Sequence, residues 1–186
     1  MSGETTQTVR TASDAGRQAR WRICLHEAGH AVAGRVLLED TTRAVVFDDG
    51  HGAAYLGRDA SAPAAFEEVL AIAAGRTAET LADRYTPPEA TPAPALDVAY
   101  PDPAAALKRG LRESLPDASA IARWCIAGIE GQPERWVSRF HWIHREARLF
   151  VAAHRDQIVE TAAILYARGI VTLPAEPVQE GVDNVE

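Results

Sequence analysis

Apolar side chains recur at spacings of three and four from about Ala15 to Leu38, at Ile23, Leu25, Ala28, Val32, Val36 and Leu37. That is the period of an amphipathic helix, with Ser13 or Asp14 as its N-cap. Gly29 and Gly34 fall inside it, where each costs ~1 kcal/mol against alanine. Two such glycines predict close approach of another backbone or of a bound group. Thr42 to Phe47 is β-branched and aromatic, and Asp48 to Gly52 reads as a turn. Ala53 to Leu56 is then a return strand. A second helical pattern covers Ala64 to Arg84, apolar at Phe66, Val69, Leu70, Ile72, Ala73 and Leu81.

Thr86 to Pro103 holds six of the chain's 11 prolines, so residues 86–101 are expected to be an irregular loop. Asp102-Pro103 has the form of a helix start, with Asp at the N-cap and Pro at the first helical position. That helix is expected to reach about Leu115, and Pro116-Asp117 to restart another through Trp124 and Ile126. Pro133 opens a long helix containing Trp136, Phe140, Ile143, Ala147, Phe150 and Val151. Asp156 to Arg168 is the last, capped by Gly169, with Pro174 ending the fold. The expected class is mainly α (α+β), with a small β-hairpin or sheet after the first helix. Residues 1–14 are expected to be a disordered tail, 15–175 one domain, and 176–186 an acidic tail.

With 186 residues and 20.0 kDa the chain has room for one full core. Its net charge of −7 and pI near 5.4 argue against a general nucleic-acid footprint. Lys108 is the one lysine. It has no Gly-x4-Gly before it and no Ser or Thr after it, so no P-loop for ATP is present. Cys24 and Cys125 make no disulfide framework and read as small buried hydrophobes in a reducing compartment. No apolar run approaches the ~18 residues of a membrane span. The N-terminus lacks the apolar stretch of a signal peptide. A soluble cytoplasmic protein is expected.

His26-Glu27-Ala28-Gly29-His30 carries the sharpest chemistry. Residues four apart share a helix face, so both imidazoles can meet one ion. Glu27 lies one step round the helix, beside that ion without ligating it. It is placed to take a proton from metal-activated water and pass it to a leaving amine.

His26 to Gly34, read as HEAGHAVAG, resembles the active-site helix of the FtsH-type ATP-dependent zinc metalloproteases. Ala74-Gly75-Arg76-Thr77-Ala78-Glu79 is similar to that family's Ala-Gly-Arg-Ala-Ala-Glu stretch. Asp102, four residues before Ala106, resembles the Asp that opens a helix and supplies the third zinc ligand. Ala147 to Leu173 resembles the closing helices. The likeness covers roughly residues 21 to 175. The family's ATPase and membrane modules have no counterpart here, and a Pro-rich stretch replaces its Gly-Ala-Ser-Asn approach to the Asp. The resemblance implies a zincin-like helical peptidase domain with Zn2+ on His26, His30 and Asp102. Asp97, closer in spacing to the Gly-Arg motif, stays open as the alternative third ligand.

Other candidates have plainer readings. His141 and His144 lie three apart on a helix and read as its edge. His51 reads as a turn residue and His154 as surface. Glu79 suits either an orienting role behind a ligand histidine or an ion pair with Arg76. Trp21, Trp124, Trp136 and Trp142 read as core, and Arg10, Arg17, Arg20 and Arg22 as a solvated face. Thr42 to Phe47 is expected to be an exposed edge strand. The expected function is a zinc metalloendopeptidase acting on unfolded chains, peptides or one specific protein, with Glu27 as general base. The expected partner is a polypeptide substrate, with no nucleic acid, no membrane segment and no ATP. The alternative is a catalytically silent protein of the same fold, acting as a binding or regulatory module.

Overall fold

The computed structural model describes residues 4–47, 50–56, 65–89, 117–129 and 132–175. Among these the chain is mainly helical, with one small antiparallel sheet. The elements run α1 (Glu4–Leu37), β1 (Thr42–Val46), β2 (Gly52–Tyr55) and α2 (Phe66–Ala78), which tightens into a 3-10 turn over Glu79–Asp83. Then come α3 (Asp117–Ile126), α4 (Pro133–Ala153), α5 (Arg155–Arg168) and β3 (Ile170–Leu173). Asp97, Asp102, most of the Pro-rich stretch and the helix expected from Asp102 to Leu115 lie outside the described residues.

Three expectations need correction. The first helix begins at Glu4, well before Ala15. No proline interrupts residues 4–37, and once a helix is nucleated each further residue adds a hydrogen bond. Second, β1 is not an edge strand. The sheet order is β2-β1-β3, so β1 is central. After Gly169 turns the chain at φ 71°, β3 comes back antiparallel to β1, pairing Val171 with Ala44 and Thr172 with Arg43. Four residues between a helix cap and a proline leave too short a pattern for that strand to stand out in the sequence. Third, Trp136 and Trp142 are not core. They are 40% and 42% exposed on α4, whereas Trp21 is buried and Trp124 is partly so.

The main core lies between α1, the sheet, one face of α2, and α5. Trp21, Leu25, Val32, Val46, Ala74, Ile158, Leu165 and Tyr166 pack there. A second, smaller cluster joins the other face of α2 to α3 and α4 through Val69, Leu70, Ala73, Ile121, Cys125, Ile143 and Ala147. Both cysteines are buried and free, and burial pushes the Cys24 thiol up to about 12. The arginine face is not wholly solvated. Arg22 pairs with Asp83 at 2.7 Å and Arg17 donates to the Pro88 carbonyl, tying the segment after α2 to α1.

Gly29 and Gly34 of α1 have the expected role. A Cβ on Gly29 would lie 2.8–2.9 Å from Ala78 Cβ, the Ala74 carbonyl and Gly75 Cα. The glycine thus lets α1 and α2 cross nearly backbone to backbone. A Cβ on Gly34 would meet Leu56 and Thr42, where the hairpin lies against the helix. Gly29→Ala is therefore expected to destabilise the fold by about 1–3 kcal/mol, despite alanine's better helix propensity. Urea unfolding measures this, and a variant as stable as the parent would refute the close crossing.

Candidate metal centre

Two elements converge on one point. The α1 helix supplies His26 and His30 from one face, one turn apart. The first residue of α3 supplies Asp117. Nε2 of His26 and Nε2 of His30 are 2.9 Å apart. Asp117 Oδ2 is 3.1 Å from the first and 3.3 Å from the second. Among the described residues this is the group of ligating side chains close enough to share one ion. His141 and His144 join no such group there.

The outer contacts decide what these atoms offer. His26 Nδ1 faces Glu79 Oε1 at 2.6 Å, and His30 Nδ1 faces the Ala71 carbonyl at 3.0 Å. Both partners are acceptors, so both Nδ1 atoms donate. Each Nε2 is then left with its lone pair, and both lone pairs point toward the same carboxylate oxygen. Three acceptors within 3.3 Å with no donor between them repel one another unless a cation sits among them. A tetrahedral zinc ion with bonds of about 2.0–2.1 Å holds its ligand atoms roughly 3.3 Å apart. The triangle of 2.9, 3.1 and 3.3 Å fits one face of that tetrahedron. His30 is buried and His26 and Asp117 are half-buried, which suits a fixed ligand set. The residues therefore fit zinc, with a fourth position left open.

Glu27 is 6% exposed. Burial raises its pKa, and His30 and His26 only partly offset this. A raised pKa moves a carboxyl group toward the range useful for proton transfer. Gly52 of β2 faces it so closely that a Cβ there would sit 2.5 Å from Glu27 Cγ and 2.6 Å from Oε1. The hairpin thus roofs Glu27 and restricts its rotamer. On the other side, Gly75 leaves room for the His30 ring, which a Cβ there would overlap.

Without metal, a proton takes the cation's place. Burial would lower the pKa of His26, but hydrogen bonding to Asp117, with Glu27 and Glu79 nearby, raises it to about 9. Burial would raise that of Asp117, but the two histidines hold it well below the carboxylate range. The His26 shift is upward, so its contribution to stability is complete below its ordinary 6.5 and is lost as pH rises through about 9. Metal binding has the opposite sense, because an ion must displace that proton. Zinc affinity is expected to rise with pH up to about 9, by about tenfold per unit for each proton displaced. Chelator competition at several pH values measures this, and a flat profile would exclude histidine ligation.

His26, Glu27 and His30 were legible from spacing, and Glu79 was recognised as a possible orienting group. Asp97 and Asp102 lie outside the described residues. Asp117 was not among the ligand candidates read from the sequence. Its one signal was the Pro116-Asp117 helix start, in which the order of the two residues is the reverse of that at Asp102-Pro103. Compared with known proteins, the chain matches no family model, no curated protein and no solved structure.

Proposed function

We propose that this chain is a zinc-dependent metallopeptidase that hydrolyses peptide bonds in unfolded chains, peptides or one specific protein. One observation carries the reading. Two histidine lone pairs and a carboxylate oxygen, with both opposite Nδ1 atoms already donating, converge beside a buried glutamate. His26, His30 and Asp117 would hold the zinc. When bound, zinc supplies Lewis acidity that polarises a scissile carbonyl and acidifies water.

The remaining chemistry belongs to the chain. Glu27 accepts the proton of the attacking water and returns it to the leaving amine. Its burial and the Gly52 roof hold it ready for both transfers. Glu79 and the Ala71 carbonyl keep the two imidazoles in the tautomer that ligates, and make them more basic. The FtsH-type likeness of residues 26–34 supports the roles of His26, Glu27 and His30, while the third ligand it implies is Asp102. The test is metal content per chain in protein purified without added metal, followed by incubation with an unfolded protein substrate. About one zinc and chelator-sensitive cleavage are expected. A chain that takes up no zinc even when it is supplied would overturn the reading.

A further inference from the structure

The proposed zinc ligands come from two different packing units. His26 and His30 belong to α1, inside the main core. Asp117 begins α3, whose buried side chains Ile121 and Cys125, with half-buried Trp124, pack only in the smaller cluster. The attachment of α3 is thin. Ala122, Arg123 and Ile126 are exposed, and a helix of ten residues is marginal without tertiary support. Its C-terminal end is held by Arg139 of α4, which donates to the Ala127 carbonyl at 2.9 Å and the Trp124 carbonyl at 3.5 Å. The same guanidinium lies 5.6 Å from the centre of the Trp124 ring. Trp124 in turn sits 6.1 Å from Trp142, which stacks on Phe66 at 4.5 Å. Asp117 makes a polar link between α3 and α1.

We propose that zinc binding and the docking of α3 are one coupled equilibrium, in which the ion fastens α3 to α1 and Arg139 is a positioning residue for the metal. The inference rests on the zinc reading above. An ion that requires Asp117 can bind tightly only while α3 is docked, so it must favour the docked state by the same free energy. Arg139 never touches the site. It holds the far end of α3 and so sets how often Asp117 is in place.

Hydrogen exchange of the full chain, with chelator and then with zinc, tests this. At zinc 100-fold above its Kd, exchange of the α3 amides through undocking should slow about 100-fold. Asp117→Asn should remove that slowing. Arg139→Gln should weaken zinc binding roughly five-fold or more, with the α1 histidines intact, and Arg139→Lys should restore part of it. Zinc bound at one per chain with α3 exchange unchanged would overturn the coupling and leave the zinc reading standing. Zinc affinity unaltered in Arg139→Gln would overturn the role of Arg139. A parent that binds no zinc would overturn both readings together.

Discussion

Replacing Glu27 by glutamine is expected to reduce peptide hydrolysis by about 10²–10⁴-fold while zinc stays at one ion per chain. The two side chains have the same shape, so the packing of Glu27 under Gly52 is kept. What is lost is the oxygen that accepts a proton. Glu27 lies on the ligand-bearing helix, one residue from His26 and three from His30, and is not among the grouped ligand atoms, so metal content should not follow it. Measuring zinc by mass spectrometry and cleavage on the same preparation separates the two effects. Full activity in the variant would reject Glu27 as the base. Loss of zinc together with activity would mean that Glu27 supports the metal instead.

Asp117→Asn is expected to weaken zinc binding by more than about 100-fold, beyond the 10–100-fold typical of outer partners. The amide offers a neutral oxygen in place of an anion between two imidazoles. Glu79→Gln should fall inside the outer-partner range, because it removes the charge behind His26 Nδ1 but leaves both ligating nitrogens in place. Asp102→Asn and Asp97→Asn belong in the same series. Retention of zinc in both, with loss in Asp117→Asn, would assign the third ligand. Loss in Asp102→Asn with retention in Asp117→Asn would move the assignment to the pattern read from the FtsH-type likeness.

The helical elements were readable where their pattern is long. The three-and-four spacing from Ile23 to Leu37 anticipated the ligand-bearing half of α1, and Pro133 and Gly169 marked real boundaries of α4 and α5. Gly29 and Gly34 were readable as well, as points of close approach, whereas Gly16 of the same helix has no such neighbour. The β3 strand was not, because its pairing with β1 joins residues far apart in the chain (Val171 on Ala44). Trp136 and Trp142 were misplaced because size and apolarity favour burial but do not ensure a partner. On α4 the buried stripe runs through Ile143, Ala147 and Phe150; Trp142 lies beside it, and Trp136, seven residues before Ile143 on the same face, lies beyond its buried part.

The sequence by itself determined how His26, Glu27 and His30 are arranged on α1. Helical spacing places His26 and His30 on one face and Glu27 beside them whatever surrounds the helix, because that relation is local. Tertiary structure alone decided the rest of the centre. It brought Asp117 to the pair across 87 positions from His30, set Glu79 and the Ala71 carbonyl behind the imidazoles, and laid Gly52 over Glu27. Among the described residues Asp117 brings a carboxylate oxygen within 3.3 Å of both histidines, and the packing of α3 on α2 and α4 holds it there.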